Sequence, residues 1–168
     1  MTIRAFLLFA LFIVLGCQES REISSINPVN WQKRTIDITG QSNLITGSSY
    51  LSVYSEIYER SERLTYELTV TVSMRNISSS DSVFILNAEY YDTKGALIRS
   101  YFDKPIFIKP LETVEIVIDE DDNHGGTGAN FIFEWATRNT NTEPLFEAVM
   151  LSTSGQQGIS FTTQGVKR

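Results

Sequence analysis

The chain has 168 residues, enough for one domain with a substantial hydrophobic core once a targeting segment is removed. Its composition of 42% hydrophobic, 11% aromatic and 20% charged residues is that of a folded protein. The formal net charge of −6 argues against nucleic acid, whose phosphates are bound mainly by Lys and Arg. The same charge argues against an anionic lipid surface as an electrostatic partner.

The first sixteen residues, 1–16, are predicted to be a signal peptide rather than part of the fold. Arg4 supplies a short basic start, and an unbroken apolar run follows from Ala5 to Leu15. This run is about half of the roughly 20 residues that a helix needs to cross a bilayer. A short apolar segment after a basic start is typical of a secretory signal.

The residues Val14-Leu15-Gly16-Cys17 resemble the lipobox of bacterial lipoproteins. In that family the cysteine is acylated and the signal is cut before it, so the resemblance implies lipidation of Cys17 and a membrane partner through that lipid. Leu at the second position is less common there than Ala or Ser. Gln18 is not the Asp that commonly marks inner-membrane retention, so the outer membrane of a bacterial envelope is favoured where the cell has one. Cys17 is the only cysteine, and an exported domain therefore carries no disulfide.

Residues 17–47 are expected to form the lipidated cysteine and a tether, with one short edge strand near Thr35–Thr39. Residues 48–168 are expected to form a single domain, because no boundary or internal repeat follows Ser48. The organisation predicted is therefore a signal, an anchored tether and one exported domain.

Seven to nine short strands with turn signals between them are predicted in the domain. The clearest runs from Leu64 to Met74, where six apolar residues alternate with polar ones and indicate one buried face. Val83 to Tyr91 is apolar on both faces at its start, which predicts a central strand, and Asp92–Gly95 predicts a hairpin turn after it. Further strands are expected at Tyr50–Ile57, Ala96–Phe102, Val114–Asp119, Phe131–Ala136, Leu145–Leu151 and Ile159–Phe161, with an edge piece between Pro105 and Pro110. The predicted fold class is an antiparallel, immunoglobulin-like β-sandwich, with a small closed β-barrel as the alternative.

Several segments across the domain resemble a bacterial family known as domain of unknown function 3124, whose members are short exported or lipid-anchored proteins. The matching segments are Leu51–Tyr58, Val72–Asn76, Tyr91–Gly95, Lys109–Thr113, Gly125–Phe131 and Gly158–Phe161. The run Gly128-Ala129-Asn130 is the most specific part. The resemblance implies the fold and export, and it brings no activity with it.

A displayed loop between two predicted strands is the first candidate site, and it contains Asp119, Asp121, Asp122, Asn123, His124 and, at its end, Asn130. Asp119, Asp121 and Asn123 have the odd spacing of an EF-hand calcium loop. His124 stands where that motif needs Gly, and Asn130 where it needs Glu, so an EF-hand is excluded. A looser Ca²⁺ site is one interpretation. A solvated loop, or a loop held rigid by the protein without an ion, is preferred to it.

Enzymatic chemistry is the least favoured function. A hydrolase would need His124, the only histidine, together with a serine and an orienting acid, and no Gly-x-Ser-x-Gly elbow occurs. We therefore expect a non-enzymatic binding or accessory module without a required cofactor, with an envelope protein or glycan as its partner. A Ca²⁺-dependent ligand-binding domain is the alternative, and a hydrolase is third. Among the aromatic residues, Phe131, Phe133 and Trp135 are predicted to be core, and Tyr91 and Tyr101 are predicted to be exposed.

Overall fold

The computed structural model describes residues 30–153 and 158–168. The predicted signal peptide and Cys17 lie outside the described residues. Within the described ranges, no helix has both the length and the apolar character needed to cross a membrane.

The described part of the chain consists mainly of short strands. In chain order they are β1 (Ile45–Val53), β2 (Glu56–Ser61), β3 (Leu64–Glu67), β4 (Thr69–Arg75), β5 (Val83–Tyr91), β6 (Leu97–Ser100), β7 (Ile106–Ile108), β8 (Thr113–Ile118), β9 (Ala129–Thr137), β10 (Leu145–Ser152), β11 (Ile159–Gln164) and β12 (Val166–Lys167). Short 3₁₀ helices occur at Trp31–Arg34, Asn123–Gly128 and Thr140–Thr142.

The strands form two open antiparallel sheets that face each other. The larger sheet has the order β12-β1-β9-β5-β6, and β7 also pairs with β5. The smaller sheet has the order β11-β10-β4-β8, while β2 and β3 form a separate two-stranded hairpin. The predicted antiparallel β-sandwich is confirmed. The barrel alternative is wrong, because neither sheet closes on itself.

The core lies between the inner faces of the two sheets and is crossed by stacked aromatic rings. Phe131 and Phe133 on β9 stack with their ring centroids 5.4 Å apart, and Phe133 meets Phe146 of the smaller sheet at 4.2 Å. Trp135 is only 1% exposed and donates its indole N–H to Ser49 at 3.0 Å. The alternating aromatic residues of β9 are therefore core, as predicted, and they join the two sheets.

The long predicted strand from Leu64 to Met74 is divided in the structure. Leu68 and the apolar residues of β4 are fully buried, which confirms the one-face interpretation for that part. Leu64, however, is 47% exposed and lies on β3, which pairs with β2 instead of the sandwich. The division occurs at Leu68, whose backbone N–H donates to the carbonyl of Ser55 at 2.8 Å instead of continuing a ladder.

The other main strand predictions agree with the structure. β5 is central, since it pairs with β9 on one side and with β6 and β7 on the other. Gly95 has φ of 81° in the turn between β5 and β6, the left-handed conformation that glycine adopts without strain. The short piece between Pro105 and Pro110 is β7, which pairs with β5 over three residue pairs.

The segment before β1 packs on the sandwich where it is described. Trp31 contacts Phe102, with ring centroids 5.3 Å apart, and Arg34 forms an ion pair of 2.8 Å with Glu112. Thr35 makes a single β-bridge with Ile106, and no continuous strand forms near Thr35–Thr39. From Trp31 onward, this segment is docked rather than extended away from the domain.

The sandwich has two distinct ends, which are defined here by the direction of β9. The end at Ala129, where β9 follows the acidic loop, is the loop end. The end at Thr137 is the far end, and the residues just before β5 also lie there because Phe84 pairs with Ala136. β9 has 9 residues, so the two ends are roughly 25–30 Å apart at about 3.3 Å per residue.

Candidate functional site

The acidic loop leaves β8, forms the 3₁₀ segment Asn123–Gly128 and enters β9 at Ala129. The predicted site residues have different environments within it. Asp121, Asn123 and His124 are exposed, and Asp119 is half-buried. Asp122 is only 1% exposed, which the predicted solvated loop did not anticipate. Asn130 is separate from the others, because it lies in β9 and pairs with Ser52 and Tyr91.

Asp122 is the centre of a buried charge network at the loop end. One carboxylate oxygen accepts a hydrogen bond from Arg99 of β6 at 3.0 Å. The other oxygen lies 2.8 Å from Nδ1 of His124. The side chains of Arg99 and Asp122 are 17% and 0% exposed, whereas that of His124 is 62% exposed. The network thus joins an internal ion pair to an imidazole ring on the surface.

Two tyrosines lie beside this ion pair. Arg99 also donates to the hydroxyl of Tyr101 at 3.3 Å, and Tyr101 is only 8% exposed, so its predicted exposure is wrong. Burial raises the pKa of Tyr101, although the nearby guanidinium opposes the shift. Burial would by itself lower the pKa of Arg99, but its bonds to Tyr101 and Asp122 raise it overall. The Arg99 guanidinium therefore keeps its charge in spite of its position.

Tyr90 is the second buried tyrosine, and its hydroxyl has no hydrogen-bond partner among the described residues. Burial strongly raises the pKa of Tyr90, and the Ser55 side chain, which is close to the hydroxyl but not in hydrogen-bond geometry with it, opposes this shift. A Cβ atom added to Gly125 would lie 1.9 Å from this hydroxyl, so the loop can cover Tyr90 only with glycine at that position. The loop backbone thus packs directly on the core.

Side chains outside the loop hold its backbone in place. Thr93, in the turn after β5, donates its hydroxyl to the carbonyl of Gly125 at 2.9 Å and accepts from the N–H of Gly128 at 2.9 Å. The backbone N–H of Ser55 donates to the carbonyl of Gly126 at 3.2 Å. Gly126 has φ of 73°, a conformation that favours glycine. These bonds describe a loop ordered by the protein, one of the outcomes considered from the sequence.

The acidic side chains of the loop do not converge around a common point in the described residues. Asp119 accepts from the backbone N–H of Asp121 at 3.1 Å, and Asn123 donates to Glu67 of β3 at 3.3 Å. Among the described residues, no group of three or more His, Cys, Asp or Glu side chains is placed to hold a metal ion. A Ca²⁺ ion that used Asp122 as a ligand would have to draw it away from Arg99 and His124.

A family model described as a protein of unknown function, DUF3124, matches residues 46–167. The match covers most of the chain. The protein belongs to the DUF3124 family. No curated protein matches the sequence. A crystal structure of a Thermotoga maritima protein designated 1070 is similar, with 11% sequence identity and a TM-score of 0.46, over 71% of this chain and 92% of that one.

The DUF3124 match includes the whole network at the loop end and excludes the predicted lipobox. Sequence reasoning identified Asp122 and His124 but missed Arg99, Thr93 and Ser55. Arg99 is 23 residues from Asp122 along the chain, and no local spacing connects the two. Thr93 carried a weak signal, since it lies in the predicted hairpin turn. Its role depends on the loop that packs over it.

Proposed function

We propose that this DUF3124 protein is a lipid-anchored protein of the bacterial cell envelope that works as a non-enzymatic binding or accessory module. The observation that carries the binding role is the preorganised loop end. Asp122 orients the exposed ring of His124, and Thr93 holds the backbone on either side of Gly126. A rigid display of polar groups reduces the entropy that a partner must overcome on binding.

The surroundings of His124 favour recognition over hydrolysis. The contact recorded for its ring is with a carboxylate, which would orient a general base, but nucleophilic catalysis also needs a hydroxyl or thiol within hydrogen-bond reach. Among the described residues, no serine or threonine hydroxyl is recorded at this ring. A fixed, accessible imidazole can instead donate or accept one hydrogen bond to an envelope protein or glycan.

Ca²⁺-dependent binding through residues 119–130 is the alternative, and it would require a different orientation of the Asp122 carboxylate. A cation site needs carboxylate oxygens that turn toward the ion. The Asp122 carboxylate is directed at Arg99 and His124 instead. Melting curves in millimolar Ca²⁺ and in chelator separate the two hypotheses, since a rise in melting temperature with Ca²⁺ supports the alternative.

The anchor is proposed from the sequence, because Val14–Cys17 lies outside the described residues. Cys17→Ser should release the domain from the membrane fraction or leave the signal uncut. Mass spectrometry of the amino-terminal peptide of the wild type should show an acylated Cys17. A Cys17→Ser protein that is processed and fractionates with membranes as the wild type does would contradict the lipid anchor.

The binding role is tested by site-specific photo-crosslinking in living cells. A photoreactive amino acid replaces the exposed Asp121, which leaves His124 intact, in one strain and Ile77 in the other. Ile77 is 50% exposed and lies beyond β4 at the far end, so it is the matched control. We expect a discrete larger species from position 121 alone, and mass spectrometry then identifies the partner. Equal species from both positions, or none from position 121, would contradict recognition through the loop end.

A further inference from the structure

A pocket of about 370 Å³ lies at the far end, away from the acidic loop. Its lining includes Ile36, Gln41, Asp81, Phe84, Phe107 and Arg138. Ligand pockets in proteins span about 300–1,000 Å³, so this one suits a small molecule rather than a macromolecule. Neither the acidic loop nor any residue of the charge network contributes to it.

The apolar floor of the pocket is built by two neighbouring strands. Phe84 of β5 pairs directly with Phe107 of β7, so both side chains project from the same face of the larger sheet. Phe84 is only 3% exposed, so the half-buried Phe107 provides most of the apolar surface that a ligand can reach. The residues Val83 and Ile85 on either side of Phe84 are fully buried. The pocket floor is therefore backed by the core.

One wall is supplied by the segment that precedes β1. The backbone N–H of Ile36 donates to the carbonyl of Pro105 at 2.9 Å, which fixes this segment beside β7. Gln41 accepts a hydrogen bond from Arg138 at 2.9 Å, which joins the segment to the loop after β9. The wall thus depends on Ile36 and Gln41, which pack on the sandwich although the sequence predicted a tether at these positions.

The pocket contains two opposite charges that do not neutralise each other. Arg138 forms no ion pair with any described residue, and its recorded bond is to the neutral amide of Gln41. Asp81 likewise forms no ion pair with a described residue, and its carboxylate accepts from Ser80 at 3.1 Å. A guanidinium binds a carboxylate well, and a carboxylate binds an ammonium group, when each can approach from a partly enclosed surface.

We propose that this pocket binds a small zwitterion, an α-amino acid with an apolar side chain. The carboxylate of the ligand pairs with Arg138, and its ammonium group pairs with Asp81. The apolar side chain packs on the half-buried ring of Phe107, beside the largely covered ring of Phe84. This arrangement satisfies both charges at once and covers the apolar floor, which a purely anionic or a purely cationic ligand does not do.

Isothermal titration calorimetry on the full chain in detergent tests the proposal, with L-leucine as the probe. N-acetyl-L-leucine removes the ammonium charge, and L-leucinamide removes the carboxylate. We expect L-leucine to bind and each analogue to bind at least about tenfold more weakly, since a charge-assisted hydrogen bond contributes this much. Arg138→Gln and Asp81→Asn should each weaken L-leucine binding by a similar factor.

Matched controls come from exposed charges elsewhere in the chain. Arg60→Gln and Asp103→Asn should bind L-leucine as the wild type does, because neither residue lines the pocket. Circular dichroism and melting curves establish that the variants are folded. No L-leucine binding by the wild type would overturn the proposal. So would wild-type affinity in either pocket variant, or equal affinity for L-leucine and N-acetyl-L-leucine.

Discussion

Replacing Asp122 by Asn is the most informative perturbation of the loop end. The carboxylate is 1% exposed and contacts both Arg99 and His124, while the Arg99 side chain is only 17% exposed. The substitution keeps the size of the side chain but removes the negative charge that pairs with Arg99 in a largely buried position. Removing one partner of a buried ion pair costs about 3–5 kcal/mol.

We expect Asp122→Asn to lower the free energy of unfolding by about 3 kcal/mol, at the low end of that range because the Asn carbonyl still accepts one hydrogen bond. In a domain of this size, such a loss lowers the melting temperature by roughly 10 °C. Urea denaturation followed by the fluorescence of the tryptophans, of which Trp135 is buried, measures the effect. The neighbouring Asp121→Asn is the matched control. Its residue is exposed, and its cost should be below about 0.5 kcal/mol.

The sign of the change in the free energy of unfolding of Asp122→Asn distinguishes a charge network from a cation site. If the loop carboxylates were gathered for Ca²⁺, neutralising one of them would relieve repulsion and stabilise the ion-free protein. If Asp122 is the counter-charge of Arg99, the same substitution destabilises the protein in chelator. A double-mutant cycle with Arg99→Gln should also give a coupling of at least about 1 kcal/mol. Equal effects of Asp121→Asn and Asp122→Asn, or additive effects in the cycle, would refute the reasoning.

Three further predictions concern other buried or paired groups. Tyr90→Phe should leave the free energy of unfolding unchanged or raise it by up to about 1–3 kcal/mol, because it removes a buried hydroxyl without a hydrogen-bond partner among the described residues. Tyr101→Phe should lower the free energy of unfolding, because it loses the hydrogen bond from Arg99. A clear loss of stability in Tyr90→Phe would contradict this reasoning. Burial raises the folded-state pKa of Tyr101. The stability that the neutral Tyr101 contributes is therefore complete below the unfolded pKa of about 10 and is lost as pH rises through the folded pKa. Between about pH 8 and 11, the urea midpoint of Tyr101→Phe should fall less than that of the wild type. The hydrogen bond from Arg34 lowers the pKa of Glu112, so the stability that this ion pair contributes is present above the unfolded pKa of about 4.3 and is lost as pH falls through the folded pKa. Glu112→Gln should therefore speed amide exchange at Ile36, whose N–H bonds to Pro105. Unchanged exchange would show that the segment docks without the ion pair.

The alternation of apolar residues predicted the strands well, because side chains on a strand have a period of two wherever the strand lies. It identified β5 and the buried face of β4. The same signal could not reveal that β3 leaves the sandwich, because the alternation continues through Leu68 without a break. Which neighbour a strand pairs with depends on residues far along the chain, and Ser55 accepts the bond from Leu68 at this division.

The sequence predicted the position of the acidic loop correctly but not the burial of Asp122 within it. A run of acids and glycines correctly indicated a loop at the end of two strands. Its composition also suggested that every acid was exposed, whereas Asp122 is buried. The burial is possible because Arg99 comes from β6, a strand that the sequence predicted without any reference to the loop. Tyr101 was misjudged for the same reason, since its hydroxyl is covered by the same network.

The charged residues at the two ends of the sandwich are arranged differently, and this difference supports the two different roles proposed for the ends. At the loop end, Arg99 and Asp122 satisfy each other inside the protein, so their interaction fixes the backbone. At the far end, Arg138 and Asp81 line one pocket without pairing with each other. A pair that is already neutralised gains little from a ligand, whereas two separated charges above an apolar floor gain from one that neutralises both. The loop end therefore suits the display of a fixed surface to a large partner, and the far end suits the capture of a small molecule. Because roughly 25–30 Å separates the ends, Asp122→Asn should leave L-leucine binding at the far end unchanged, and Arg138→Gln should leave crosslinking at position 121 unchanged.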